Sequence, residues 1–534
     1  MLSATLPSKA PVSAEAQQAA AARLGDVAIA AALVLLAAAI LLPCYGDFPM
    51  ATWDESRNAN NAIEMAAAGH WLITTFGGVP DHWNTKPPLL IWLVAALLRA
   101  GVPPLLALRL PSFVAALAIV AVLFAYCRWC LGSRLAGVLA GLLFLASPLF
   151  FGPHIARTGD YDAPLSLFVL VLVIAFERYA HLVARPERRR WLVLAAAAAV
   201  LGILTKGVAA LLVAPGLLVF AAVRGRVARM AGDPALWCSV LAAVAVCAGY
   251  YLGREALDPG YLRAVWDSEL GGRYGTTLDA HAGGPLYYVR ILLRLTEPAA
   301  LLVPFLVWRL VPWRLITWRL ITWRSWSPPP SARRIAGRDS LLICLLAGAS
   351  LLLAISSAGT KAYWYAAPLV PLLSLAGGVA LASLAGTSGQ GSARPGFTVA
   401  LLAACLGALT VVGQYHQFAG IVTAAGSLEN GQLWYGQALE QFRREGVSSP
   451  LVIVDGGVAN DAGFAGYTPV ADFYRKYATL RGEQVEIAST GTPPAHGIRV
   501  LTCDPRLVHR YRFAAGFQPV FGDARCVTGP MGAN

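Results

Sequence analysis

The chain has 534 residues, of which 57% are hydrophobic and only 13% charged, with a mean hydropathy of +0.59. This balance excludes an ordinary soluble domain and buries most of the core in lipid. The formal charge of +13 does not indicate nucleic acid, because much of the arginine falls in short connectors such as residues 185–190, 224–229 and 313–324, where it marks cytoplasmic loops between spans.

In chain order, residues 1–24 are rich in Ala, Ser, Pro and Gln, which predicts a disordered cytoplasmic tail. The apolar run Val27 to Leu42 lacks a convincing small-residue cleavage site and is followed by many more apolar runs, so it reads as a retained first helix rather than a signal peptide. Further spans are predicted near 109–126, 134–151, 164–182, 191–205, 208–223, 235–252, 290–311, 339–357, 363–385 and 397–415. That pattern predicts an all-α polytopic membrane domain of about 11 to 13 transmembrane helices over residues 25–415. The segment 88–102 is too short to cross upright and reads as a re-entrant or interfacial helix. Tandem WRLIT copies at 313–322 read as an interfacial segment with snorkelling arginines. After Tyr415 hydropathy falls, and the runs 451–457, near 470–480 and 498–504 predict a small C-terminal extracytoplasmic α/β domain over 416–534. Its Gly-rich turn after Asp455 lacks a full dinucleotide fingerprint and implies no cofactor.

Arginine placement then fixes the sides. Arg128, Arg134, the 185–190 and 224–229 clusters, 309–338 and Arg394 all fall on the cytoplasmic face when the N-terminus is inside. The loop 45–87, the run 157–162, the end at 205–207, the loop 253–289 and residues 356–365 then face outward, and these hold the chemically interesting residues. Five of the nine cysteines, Cys44, Cys238, Cys247, Cys344 and Cys405, lie in or beside apolar runs, where they pack as small hydrophobes, and Cys127 and Cys130 form one CxxC, too little for a zinc site. Cys503 and Cys526 lie in the C-terminal segment and could pair if it is extracytoplasmic.

Two acidic clusters, Asp54-Glu55 and Asp160-Tyr161-Asp162, sit just beyond long apolar runs. A carboxylate inside hydrocarbon costs roughly 3 kcal/mol on insertion scales, so these four carboxylates belong at the membrane edge, facing a shared aqueous cavity, as an enzyme site would. Thr52 to Glu55 fits a capping box opening a helix that ends near Gly69, a structural role for Glu55 that competes with a catalytic one. Asp54 falls in the first turn, where the helix dipole favours a carboxylate, and at the water edge it can serve as a general base. Lys86 precedes a Pro-Pro pair that fixes an extended backbone, which presents a cation rigidly enough for a phosphate. Lys206 and Lys361, beside Tyr363 and Tyr365, are outward lysines at span ends, against the positive-inside bias and therefore in favour of an anionic partner. His70, His82, His154 and His281 also face outward and with the aspartates could hold a divalent metal cation, although no ligand spacing among them is diagnostic.

Residues 53–92 resemble the first outer loop of the polyprenyl-phosphate-sugar glycosyltransferases of the GT-C fold, a group that includes lipid A aminoarabinose transferases and protein O-mannosyltransferases. The resemblance rests on Asp54-Glu55, Arg57, Gly69-His70-Trp71, Gly78-Val79-Pro80 and Lys86-Pro87-Pro88, in order and spacing, with further matches at 156–165, 204–207, 266–274 and 360–371. It covers roughly residues 25–415 and leaves the C-terminal domain aside. Two departures stand out: His70 occupies a position usually acidic, and Asn84-Thr85 replaces the common Phe-Glu before the lysine, so no carboxylate role transfers to position 85.

What the resemblance implies is inverting transfer of a sugar from a polyprenyl-phosphate donor to a hydroxyl or phosphate of an envelope acceptor, on the outer face of the cell inner membrane. The acceptor would be lipid A or its core, another glycan, or a protein. Asp54 would act as base, with Glu55, Asp160 and Asp162 in the same catalytic group. Arg57, Lys86, Lys206, Arg273, Lys361 and Tyr365 would hold the donor phosphate. Asp160 or Asp162 would orient the acceptor, hold a metal, or pair with Arg57 or Arg157. The competing classes are a multi-span transporter or flippase of a lipid-linked or anionic solute, and a non-catalytic scaffold. Against the transporter, paired half-repeats are missing and the acidic residues fall outside the midplane; against the scaffold, the charged outer loops would have no purpose.

Overall fold

The computed structural model describes residues 14–43, 45, 49–51, 53–182, 185–277, 281–294, 298–310, 332–385, 407–408, 412–415, 434–447, 451–457, 467–488, 498–511, 516–521 and 525–530. Among these, seven helices are long and apolar enough to cross a membrane: Ala20–Leu41, Pro104–Cys130, Asp162–His181, Pro186–Leu211, Pro234–Leu257, Gly337–Ser357 and Tyr363–Ser383. Three shorter apolar helices, Leu89–Arg99, Arg134–Leu145 and Ala214–Val223, pack among them. The chain is a multi-span membrane protein. The WRLIT repeat, Thr52, Arg394 and most of the expected 397–415 span lie outside the described residues.

Several expected boundaries move, each for a local reason. The first helix begins at Ala14 and runs unbroken to Leu41, so the last part of the expected disordered tail is helical; the Ala-rich stretch after Ala14 is among the best helix formers. The expected 134–151 span stops at Leu145, because Pro148 follows closely. Within the expected 290–311 span the described residues form helices at Tyr287–Arg294, Pro298–Leu301 and Val303–Leu310; the break at Leu302 falls where Pro304 removes a backbone donor that a continuous helix needs. The helix Leu89–Arg99 has 11 residues, about 16 Å, half the hydrocarbon thickness, as expected of a segment that does not cross.

The C-terminal region holds a five-stranded sheet of order β4-β3-β5-β7-β6, with β3 Leu451–Val454, β4 Val485–Ala488, β5 Arg499–Thr502, β6 Gln518–Pro519 and β7 Val527–Pro530; β1 Thr75–Phe76 and β2 Val79–Pro80 form a separate hairpin in the first outer loop. Strand β3 pairs in parallel with β4 and β5, β7 runs antiparallel to β5, and helices Tyr435–Arg444 and Pro469–Leu480 complete an α/β unit. Cys503 and Cys526, just after β5 and just before β7, form a disulfide. One hydrophobic core runs from Ile63 and Met65 through Ile91 and Val94 to Tyr435, Phe473, Ile453 and Leu501, so the small domain is packed on the outer loop rather than tethered to it.

Candidate active site

The site is built on the helix Asp54–Ala68, which ends, as its sequence predicts, at Gly69 in the left-handed conformation (φ 74°). Trp53 is its N-cap residue, without a side-chain cap bond, and Glu55 reaches back to accept from the Ala51 N–H at 2.8 Å. Glu55 is 1% exposed and forms an ion pair of 2.7 Å with the fully buried Arg109; it also accepts from the Gly159 N–H at 2.9 Å. Both its oxygens are therefore occupied, and it does not line the cavity. The expectation that Glu55 is catalytic is corrected: it clamps the outer loop to the Pro104–Ala125 helix. Asn58 donates to the Gly159 carbonyl at 3.0 Å, the Asn84 amide nitrogen donates to Asn58 and Asn61, and the Tyr161 hydroxyl donates to the Asn84 oxygen at 3.3 Å, closing a buried amide network between the 45–87 loop and residues 158–161. Gly159 is required there by space, since a Cβ would lie 2.4 Å from Leu108 Cγ.

This scaffold brings the two acidic clusters together. The Asp54 carboxylate, about one-third exposed, lies 3.7 Å from His154 Nδ1, and Asp160 lies 4.0 Å from the same nitrogen. His154 is the one non-glycine residue with positive φ among the described residues, at 60°, and its ring stacks on Trp364 at 4.3 Å. Histidine enters that region more readily than most side chains, and here the conformation presents its ring to Trp364 and to Asp54. Burial pushes the Asp160 carboxyl up to about 7; His154 and a hydrogen bond from Thr158 work against the rise, while Asp54 and Glu55 add to it. Asp162 faces Lys206 at 2.7 Å and so forms an ion pair, though with Lys206 and not with Arg57 or Arg157. Of the other outward histidines, His281 lines the cavity, His82 pairs with Asp258 at 2.9 Å and His70 is exposed.

The cations separate into two kinds. Lys86 lies 3.8 Å from Glu269, Arg273 lies 3.3 Å from the same carboxylate, and Arg273 also donates to the Tyr365 hydroxyl. Burial alone would raise the Glu269 carboxyl, but Lys86, Arg273 and Lys206 outweigh it and hold the group below its usual range. Position 85 carries no carboxylate; the Thr85 hydroxyl bonds Ser268 at 2.8 Å and Glu269 at 3.3 Å, and Glu269 is the carboxylate beside the lysine. Arg57, expected to hold phosphate, forms a two-pronged pair with buried Asp81 at 2.7 Å and stacks over Phe76 at 3.6 Å, although its guanidinium edges the cavity. Lys361 is 5% exposed, donates to the Ala358 carbonyl and does not line the cavity, so its expected phosphate role is corrected to a structural one.

All of this surrounds one cavity of about 930 Å³. Its lining includes the acidic group Asp54, Asp160 and His154, the cationic group Lys86, Lys206 and Arg273 with Tyr365, and the apolar side chains Leu165, Val208, Leu212, Leu351, Ile355 and Pro368. Asp54, His154 and Asp160 each offer one ligand atom within 4.8 Å of the others, a donor set suited to a divalent cation. Sequence reasoning missed Glu269, Trp53 as a lining residue, and Tyr467. Glu269 had a signal, four residues before Arg273 in one helical turn; Tyr467, far along the chain in the C-terminal domain, had none.

A bundle of membrane-spanning helices with connecting loops folded over a charged cavity, and a small α/β domain packed on those loops, is a GT-C architecture. The chain has this fold, and it resembles the polyprenyl-phosphate-sugar transferase superfamily. Residues 85–251 match the dolichyl-phosphate-mannose-protein mannosyltransferase family. ArnT from Cupriavidus metallidurans bound to undecaprenyl phosphate superposes with a TM-score of 0.59 at 18% identity, covering 94% of this chain and 97% of that one. Its apo state gives 0.60 at 17% identity, covering 95% and 98%. No curated protein sequence matches the chain at a significant level.

Proposed function

We propose that this protein is an inverting glycosyltransferase that moves a sugar from a polyprenyl-phosphate donor to an envelope acceptor at the outer face of the bacterial inner membrane. The observation that carries the reading is the union, in one cavity, of a carboxylate about one-third exposed, a cationic set and apolar side chains. That is the complement of an amphiphile with a prenyl tail, a phosphate and a sugar. A solved relative in fold binds undecaprenyl phosphate, a carrier of this class. The Cys503–Cys526 disulfide supports an oxidising, extracytoplasmic setting for the C-terminal domain, residues 416–534.

Asp54 takes the proton from the acceptor hydroxyl as its oxygen attacks the anomeric carbon, and the bond from that carbon to the carrier phosphate breaks. The phosphate leaves with added negative charge, which Lys86, Arg273, Lys206 and the Tyr365 hydroxyl stabilise. His154 and Asp160 set the field at Asp54. A transporter reading is disfavoured because Asp54 and Asp162 stand at the first residues of two helices, and Asp160 just before the second, rather than midway along paired broken helices. The test is a panel of radiolabelled polyprenyl-phosphate sugars incubated with purified protein and envelope extract: transfer from one donor with inversion supports the reading, and release of no sugar from any donor overturns it.

A second reading of one part of the site is favoured by the 4.8 Å cluster, in which Asp54, His154 and Asp160 hold a divalent cation. The ion would supply Lewis-acid polarisation of an oxygen ligand. Proton abstraction would then fall to a group other than Asp54, and activity would disappear with EDTA and return with added Mg²⁺ or Mn²⁺.

A further inference from the structure

The C-terminal domain does more than cover the membrane domain. Its helix Pro469–Leu480 lies on the helix Asp54–Ala68, with the Asn60 amide donating to the Pro469 carbonyl at 2.7 Å and Lys476 bonding Asn60 at 2.8 Å and Glu64 at 2.6 Å. This docking carries Tyr467, two residues before Pro469, into the lining of the cavity. There its ring stacks on Trp53 with centroids 5.6 Å apart and planes 25° apart, and it lies 6.1 Å from Phe76. Trp83, nearly half exposed, completes the group under the Arg57 guanidinium at 5.3 Å. Trp53 directly precedes Asp54 in the chain, so the aromatic group adjoins the proposed base.

The lining thereby falls into two sets. Lys86 and Arg273 gather about Glu269, and Lys206 and Arg273 about Tyr365, a set suited to the carrier phosphate; Trp53, Phe76 and Tyr467 gather beside Asp54 and Arg57, and Trp83, between Arg57 and Lys86, borders both sets. Aromatic faces flanked by a carboxylate and a guanidinium match a pyranose ring, whose C–H face packs on π-systems while its hydroxyls need polar partners. A membrane-anchoring belt would turn its Trp and Tyr outward to headgroups; here they turn into the cavity, and one of them comes from the extramembrane domain. We propose that Trp53 and Tyr467, with Phe76 and Trp83 beside them, form an acceptor subsite that stacks a sugar ring, so that the acceptor is a glycolipid or glycan and Tyr467 lets the C-terminal domain select it. This rests on the glycosyltransferase reading given above.

The experiment uses the full chain in detergent with the donor that wild type consumes, and two acceptors: an envelope glycolipid fraction titrated by hexose content, and a Ser/Thr-containing peptide. Tyr467→Ala and Trp53→Ala should each raise the glycolipid KM about ten-fold, leave the donor KM unchanged, and be rescued at position 467 by Phe. An unchanged glycolipid KM in both variants, a rise in donor KM instead, or a wild-type preference for the peptide overturns the subsite. Because the two variants lie on opposite sides of the domain contact, undocking by one does not mimic the result; an unchanged donor KM shows that the site remains assembled. If wild type consumes no donor at all, it is the glycosyltransferase reading that fails, and the subsite falls with it.

Discussion

His154 Nδ1 lies 3.7 Å from the Asp54 carboxylate, although the two residues are a hundred positions apart and on different outer loops. The approach depends on a buried clamp, Glu55 with Arg109 and Gly159, and on a histidine held at φ 60° against the Trp364 ring. Chemistry and scaffolding are thus divided between adjacent residues: Asp54 faces the cavity and Glu55 faces the core.

That division predicts opposite phenotypes for neighbouring carboxylates. Arg109→Ala leaves the Glu55 charge buried and unpaired, which costs about 3–5 kcal/mol, and a lowered thermal midpoint or loss of detergent-stable protein would register it. Asp54→Asn, at a position about one-third exposed, should leave the midpoint unchanged.

Lys86 is the cation least committed to a structural partner, since its contact with Glu269 is 3.8 Å long. Lys86→Met should lower kcat/KM for the donor about a hundredfold, from lost stabilisation of the leaving phosphate. Arg at this position should restore only part, because a planar guanidinium does not reproduce a compact ammonium.

Asp160 gives a pH signature. Its carboxyl is raised to about 7 by burial, so between pH 4 and 7 the folded protein keeps a proton that the unfolded chain has released. Binding more protons when folded means that this group's contribution to stability falls as pH rises through that window. Thermal midpoints measured from pH 5 to 8 should therefore decline less steeply in Asp160→Asn than in wild type.

The disulfide closes a loop between positions 23 apart and joins the ends of β5 and β7. Removing it should destabilise the C-terminal sheet by about 3 kcal/mol, seen as a lower midpoint for that domain in reductant or in Cys503→Ser.

Much of this was legible in the sequence. Apolar runs located the seven long helices among the described residues, though 134–151 and 208–223 hold shorter ones, and the Asp54, Lys86 and Asp160 motifs located three residues of the cavity, because hydropathy and charge act locally along the chain. Boundaries failed where proline intervened, as near Pro148 and Pro304. For Glu55 the sequence offered a capping role and a catalytic one, and what decides between them, burial against Arg109 and Gly159, comes from distant parts of the chain; Lys361 turns back onto the Ala358 carbonyl three residues earlier, a local bond that its spacing from the tyrosines did not signal. Tyr467 could not be found, since its place in the cavity follows from docking of two helices more than 400 residues apart.

The central claim is that Asp54 takes a proton during sugar transfer. Purified wild type and Asp54→Asn, matched for thermal midpoint, should be compared for transfer from the donor that wild type uses. The account predicts a loss of at least about a hundredfold in kcat with the donor KM little changed. Full activity in Asp54→Asn would contradict it.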